Sequence, residues 1–258
     1  MVEQTVYLDG DTLWAGLQQA TSHTNSPIFC MLRGPIFKLA IVSDLRLTVS
    51  WQTRRKIYEQ GEAFFLIPLQ VVRSLDADVI RTALMIRMEG NRISLSTGDT
   101  GQSYHMQWIS DPASLPAPPQ FGEMLVPPRN LLEVDYITLS EAVHQSVAKL
   151  IAKEAQEMVH RNKLAILVTL QQSQLAIDGR EITRERADQY YFDPRLIIRS
   201  LEFIKSRQVS LGIARLSPGN RAILSLLGTQ DGWTVHCALL SIGLDTQKLY
   251  PLPPRQRG

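Results

Sequence analysis

The chain has 258 residues, 44% of them hydrophobic and 20% charged, enough to bury a sizeable core as one large or two ordinary domains, and this excludes disorder as its main state. Its 27 Lys and Arg against 25 Asp and Glu leave a formal net charge of +2, too small for a polycation, so any nucleic-acid contact must come from local basic patches. Two cysteines, Cys30 and Cys237, with no CxxC pair, exclude a disulfide scaffold and a zinc knuckle and fit a reducing compartment.

The chain opens MVEQTVYLDGD, with acidic residues where a signal peptide needs a basic and then an apolar region, so a cytoplasmic protein is expected. An amphipathic helix is predicted over Asp11–Thr21, with Asp9 and Asp11 suited to the turn and helix start. Its Gln18 and Gln19, with no Lys or Arg, make it a poor phosphate binder. Two strands follow, one beginning at Lys38-Leu39-Ala40-Ile41, with Asp44 in a tight turn. Phe64-Phe65-Leu66-Ile67 is an aromatic strand ending at Pro68, which opens a short helix containing Arg73-Ser74-Leu75. Gly90-Asn91-Arg92 reads as a hairpin turn between closing strands.

Pro112, Pro116, Pro118, Pro119, Pro127 and Pro128 crowd the stretch from Asp111 to Pro128. Proline fixes φ and removes a backbone donor, so this stretch is expected to carry neither a helix nor a central strand. It reads as a linker over 112–130 between a domain of residues 1–111 and a second of residues 131–244, with 245–258 a basic, proline-rich tail.

The second half repeats the first in order. Lys163-Leu164-Ala165-Ile166 mirrors Lys38–Ile41, Tyr190-Tyr191-Phe192-Asp193-Pro194 mirrors the aromatic strand, Arg199-Ser200-Leu201 the short helix and Gly219-Asn220-Arg221 the hairpin, at offsets of 125 to 129. The opening helix is predicted over Leu139–Met158, with Leu139, Val143, Val147, Leu150, Ile151 and Met158 on one side and Gln145, Lys149, Lys153, Gln156 and His160 on the other. Pro194 suits a first helical turn, followed by an apolar face of Ile197, Ile198, Leu201 and Ile204. The longest apolar runs, Leu164–Leu170 and Cys237–Leu240, are far short of the ~20 residues that cross a bilayer and read as buried strands, so no membrane partner is expected. The ordered matches point to a tandem duplication and an α+β fold.

The segments Leu13-Trp14-Ala15-Gly16-Leu17-Gln18-Gln19-Ala20, Ser26-Pro27-Ile28-Phe29, Ser43-Asp44-Leu45-Arg46-Leu47-Thr48-Val49, Phe65–Leu75, Gly90–Gly98, Asp111–Pro119 and Tyr190–Leu244 resemble, in this order, the sliding clamp of bacterial replication, the beta subunit of DNA polymerase III. The resemblance implies an α+β fold of two tandem DNA-clamp-like domains, each with two helices packed on antiparallel sheets. Bacterial clamps have three such domains and close as dimers. A two-domain chain would need three copies for a six-domain ring, as in archaea and eukaryotes. The implied function is a non-enzymatic processivity factor that oligomerises around double-stranded DNA and tethers polymerase or repair proteins, with no cofactor and no metal.

In the family, helices line the inner surface and meet phosphates without reading bases. The matching positions here offer Arg73, Lys149, Lys153, Arg161, Arg195, Arg199, Lys205 and Arg207, diluted by Glu154, Glu157 and Glu202. Taken by charge alone they are ordinary solvated helix faces. The family also holds partner peptides in an apolar groove, and Ala176–Ile182 resembles a segment lining it. The implied groove residues are Ile177, Gly179, Arg180 and Ile182, with Leu239, Leu240 and Ile242 of the closing strand. The bland alternative makes these apolar residues core. A rival reading of the whole chain is a clamp-fold paralogue acting as a protein-interaction or assembly module without encircling DNA, which the near-neutral charge, the missing third domain and a closing strand without the family's proline favour.

Enzyme chemistry finds little support. His23, His105, His144, His160 and His236 form no HExxH or similar set, and there is no GxSxG, P-loop or GxGxxG. Cys30 and Cys237 read as buried small hydrophobes, and Trp51, Trp108 and Trp233 as core or sheet edge.

Overall fold

In the computed structural model, which describes residues 4–8, 10–21, 27–54, 62–74, 84–89, 92–97, 103–108, 121–155, 164–171, 174–181, 189–217 and 221–242, the chain forms two units. The first is Met1–Val126 with Thr229–His236, and the second is Pro127–Gly228 with Cys237–Gly258.

The first unit begins with β1 (Gln4–Leu8) and α1 (Gly10–Thr21), then β2 (Ile28–Arg33), β3 (Ile36–Asp44) and β4 (Leu47–Arg54). The aromatic strand β5 (Glu62–Ile67), α2 (Leu69–Ser74), β6 (Leu84–Glu89), β7 (Arg92–Thr97) and β8 (Ser103–Trp108) follow. Three strands separate α1 from the aromatic strand, where two were expected. The turn at Asp44, whose Oδ1 accepts the Arg46 N–H at 3.0 Å, folds the run back on itself and makes β4 a strand of its own. Pairing orders the sheet β1-β6-β7-β8-β5-β2-β3-β4. The strands flanking Gly90-Asn91 pair through Glu89 and Arg92, as that turn predicts.

Successive strand side chains point to opposite faces, so Phe37, Leu39 and Ile41 share one face of β3 and Lys38, Ala40 and Val42 the other. The helix α1 buries Leu13, Leu17 and Ala20, at i, i+4 and i+7, against β3 on the Leu39 face. On the other face Phe29, Ala40 and Leu66 form a buried cluster with Phe121. Phe121 belongs to α3 (Phe121–Met124), a single turn inside the stretch expected to exclude any helix. The four residues contain no proline, Pro119 precedes and Pro127 follows them, and the turn closes when the Leu125 N–H donates to Phe121 O at 3.2 Å.

The second unit runs β9 (Leu132–Asp135), α4 (Tyr136–Ala155), β10 (Leu164–Gln171), β11 (Gln174–Glu181), β12 (Tyr190–Phe192), α5 (Pro194–Phe203), β13 (Gln208–Leu216), β14 (Arg221–Gln230) and β15 (Trp233–Leu240). One sheet is ordered β9-β13-β14-β15 and the other β11-β10-β12. The last strand is divided: Cys237–Leu240 belong to this unit, while Trp233–His236 belong to the first, beside β4. The turn before it, Asp231-Gly232, has φ of +49° and +78°, the pair of left-handed residues that a two-residue type I′ hairpin needs.

The helix α4 starts at Tyr136, three residues ahead of the expected start, because Asp135 caps it: its Oδ1 accepts the N–H groups of Ile137 at 3.0 Å and Thr138 at 3.1 Å. It buries Leu139, Val143, Ser146 and Leu150, a stripe at i, i+4, i+7 and i+11. Ile151, expected on that side, is 60% exposed, since one residue past Leu150 turns about 100° away from the stripe. Met158, His160 and Gln156 lie outside the described residues.

The topology of the second unit repeats the first and corrects the sequence alignment of the two. Pairing of β9 with β13 matches β1 with β6, and β13 with β14 matches β6 with β7. The aromatic strand β12 pairs with β10 as β5 pairs with β2. The bridge of Tyr191 to Ile242 answers the pair Phe65 and Trp108. Hence β10 corresponds to β2, not β3, and the match of Lys163–Ile166 with Lys38–Ile41 is chance. Among the described residues the second unit has no counterpart of β4.

Candidate nucleic-acid and peptide interfaces

In α5 the sequence separates two faces cleanly. Asp193 is the N-cap, its carboxylate accepting the Arg195 N–H at 2.9 Å, and Pro194 occupies the first turn as predicted. Leu196, Ile197, Ser200, Leu201 and Phe203 are buried, which leaves Arg195, Arg199 and Glu202 exposed, followed by exposed Lys205 and Arg207 before β13. Four of the eight expected cations thus lie on one short run of the second unit. Arg195 is tied within that run: its Nε donates to Asp193 Oδ1 at 3.0 Å and its Nη2 to Oδ2 at 2.5 Å. A fork already shared with a carboxylate is a weaker phosphate clamp than the guanidinium of Arg199.

The neighbouring helix α4, which packs against α5, is less basic. Lys149 is exposed, with its Nζ 3.9 Å from Asp178 Oδ1 and side-chain exposures of 65% and 38%, a pair worth little in water. Around it α4 exposes Ile137, Glu141, His144, Gln145, Ala148 and Ile151. His144 Nδ1 lies 2.7 Å from Ser140 O, one turn back on the same helix. Arg73 is exposed on α2 of the other unit. The Lys153 backbone belongs to α4, whereas its side chain and all of Arg161 lie outside the described residues.

Of the expected groove residues, Ile177 is half-buried on β11 and Gly179 is buried where α4 crosses that strand. A Cβ at 179 would collide with Ser146 O and Leu150, so this position needs glycine for close packing. Leu239 and Leu240 are core, at 1% and 7% exposure. Ile242 is half-buried against Ala165, Leu167 and Tyr191, and its N–H donates to Tyr191 O at 2.7 Å. The Arg180 side chain and Ile182 lie outside the described residues. Ile177 and Ile242 are therefore the groove residues with apolar surface left to offer among those described.

One polar cluster of the first unit was not singled out from the sequence. Lys38 is 7% exposed, and its Nζ donates to Leu125 O at 2.8 Å. Burial lowers its pKa from 10.5. His236, 4% exposed, is pushed down to about 3, first by burial and then by the charge of Lys38. It is neutral at physiological pH. The Thr48 hydroxyl donates to Met124 Sδ at 3.7 Å. The available signal was Lys38 itself, in the alternating row it shares with Ala40 and Val42. Burial also raises both thiols, Cys30 and Cys237, the latter opposed by its hydrogen bond to Ser200 O at 3.6 Å, so neither is a ready nucleophile. Among the described residues no group of three or more His, Cys, Asp or Glu could hold a metal ion, and no helix is long and apolar enough to cross a membrane.

No protein-family model matches this chain, and no curated protein does. Solved structures do. The DNA polymerase III subunit beta from Pseudomonas aeruginosa superposes with a TM-score of 0.55 at 12% identity, over 93% of this chain and 67% of that one. The beta subunit from Thermotoga maritima gives 0.50 at 16% identity over 97% and 68%, and the beta chain from Streptococcus pneumoniae 0.52 at 12% over 94% and 66%. This chain therefore spans about two thirds of the length of the clamps it matches. The order repeated in its two units, one strand, a helix, further strands, a second helix and closing strands, is a sliding-clamp-like fold.

Proposed function

We propose that this chain is a cytoplasmic, non-enzymatic, sliding-clamp-like processivity factor: copies of it close around double-stranded DNA, a trimer making a six-domain ring, and tether polymerase or repair proteins. The observation that carries the reading is the repeated clamp fold with Arg195, Arg199, Lys205 and Arg207 exposed along one run of its second unit. Such a row neutralises phosphates without reading bases, which is what a sliding protein needs. Lys149 adds to it, and Lys153, Arg161 and Arg73 extend the proposed contact. Partner peptides would dock in an apolar groove rimmed by Ile177 and Ile242, in the neighbourhood of Gly179, Arg180, Ile182, Leu239 and Leu240.

Light scattering with and without primed circular DNA tests the ring, and about three times the monomer mass is the expected result. Arg199→Ala with Lys205→Ala and Arg207→Ala should weaken DNA retention at every sequence and reduce the salt slope by about one per lost phosphate contact. Unchanged retention in the triple variant would remove the DNA role.

A second reading, a clamp-fold assembly module that does not encircle DNA, is favoured by α4, which exposes Ile137 and Ile151 on a helix that the first reading turns toward phosphates. A protein that stays monomeric and ignores circular DNA would establish it.

A further inference from the structure

The helix α4 shows solvent an apolar line that the fold does not ask for. Ile137 and Ile151 are 64% and 60% exposed, and exposed His144 stands midway, seven residues from each. Seven residues make nearly two turns, so these three lie along one line of the helix, with Glu141 and Ala148, also exposed, beside them within an arc of about 80°. The buried stripe of Leu139, Val143, Ser146 and Leu150 is on the far side. The corresponding helix of the first unit, α1, exposes Asp11, Ala15 and Gln18 instead.

The line has an isoleucine at the same distance on either side of His144, the self-complementarity a helix needs to pack on its own copy across a two-fold axis. Run antiparallel through that axis, Ile137 of each copy meets Ile151 of the other, and the small Ala148 lets the helices approach closely. A polar residue at the centre of an apolar seam sets its register. The charges agree with the same register. Glu141 lies three residues before His144 and Lys149 five after it, on the same flank of the line, so Glu141 of one copy stands two residues, about 3 Å along the axis, from Lys149 of the other. The two-fold makes that pair twice. Within its own chain Lys149 has only the solvated Asp178 carboxylate at 3.9 Å, which holds it weakly.

We propose that this face of α4 is a self-association surface, on which two copies of the chain pair antiparallel about His144, with Ile137 against Ile151 and Glu141 against Lys149. One helix pair is at the small end of protein interfaces, so the dimer is weak and reversible. It goes beyond both readings of the function. A paired α4 has no face left for phosphates, so on the DNA reading the dimer is the form free of DNA, and its mass distinguishes it from a three-copy ring.

Sedimentation equilibrium of the full chain without DNA, from about 1 μM to about 300 μM, reads the association. Twice the monomer mass should appear toward the upper end, and Ile137→Ser with Ile151→Ser, at exposed positions that leave the core intact, should raise the dissociation constant at least about tenfold. Glu141→Lys and Lys149→Glu should each raise it at least about threefold, because each sets like charges together. An equimolar mixture of those two variants should associate as the unmodified chain does, since each supplies the charge the other lacks. A monomer throughout, a dimer or trimer indifferent to the two isoleucines, or a mixture that associates no better than its parts overturns the proposal. None of these outcomes depends on whether the chain encircles DNA, which the circular-DNA experiment decides separately.

Discussion

Lowering the pH from 7 to 5 should cost this chain about 2 kcal/mol of stability through one side chain, His236. In the folded state it titrates at about 3, against 6.5 for the exposed imidazole, because it is buried and because Lys38 repels a second positive charge. The unfolded chain takes up the proton as the pH falls through 6.5, whereas the folded chain takes it only near 3. Stability is therefore full above 6.5 and is lost between 6.5 and about 3, at up to ~1.4 kcal/mol per pH unit. Lys38, also lowered, acts in the same direction at higher pH, favouring the fold as the pH rises toward 10.5. Urea unfolding followed by fluorescence suits the measurement, since Trp51 and Trp233 are buried in the same unit. Carboxylates titrate alike in the unmodified chain and in His236→Gln, so the difference between their pH dependences isolates the imidazole. The unmodified chain should lose about 2 kcal/mol more than the variant between pH 7 and 5. Lys38→Met should shrink that loss, having removed the second cause. Identical pH dependences in the unmodified chain and His236→Gln would mean a solvated imidazole and would refute the reasoning.

Gly179→Ala drives a Cβ into Ser146 O and Leu150 and should destabilise the second unit by about 1–3 kcal/mol in a denaturant titration. Asp193→Ala removes the cap of α5 and the partner of Arg195; it should cost about 1 kcal/mol in stability, and, on the clamp reading, DNA retention should rise because the guanidinium is released. Leu150→Ala, on the buried side of α4 and 3% exposed, should cost about 2–5 kcal/mol by calorimetry or urea. Both thiols should react with Ellman's reagent only in denaturant, and prompt labelling of the native chain would contradict the burial of Cys30 and Cys237.

Local rules made much of the fold readable. Pro194 after Asp193, the Gly90-Asn91 hairpin and the aromatic strands ending at proline each state a backbone preference in two or three residues, and the pairings around them follow. Asp231-Gly232 was an equally strong signal left unread. What failed was inference across distance. Lys38–Ile41 and Lys163–Ile166 share letters but sit in strands with different partners, which only the hydrogen-bond pattern of β10 and β12 discloses. Ile151 went astray because a helix assigns its face by angle, and one residue past Leu150 is already in water. The helical turn at Phe121 was hidden by its prolines, whose veto extends only to the residues they adjoin. For the candidate interfaces, the cations on α5 were legible as exposed because an apolar stripe claims the other side. The depth of Leu239, Leu240 and Gly179 was not, since an apolar strand reads the same whether it walls a groove or fills a core.

The divided last strand has a consequence for how the chain can be built. Residues 1–126 leave the ribosome long before Thr229–His236, which complete their unit beside β4. No cut near position 126 yields an intact amino-terminal piece, because that piece would lack Trp233 and would expose β4 where Thr53 now bonds Gly232 O at 3.1 Å. During synthesis the amino-terminal unit must wait, with one edge unpaired, for about a hundred residues to follow, and an open edge is where newly made chains stick to one another. Its final assembly is coupled to the arrival of the carboxy-terminal hairpin, so truncation near residue 228 should be felt first at the opposite end of the sequence.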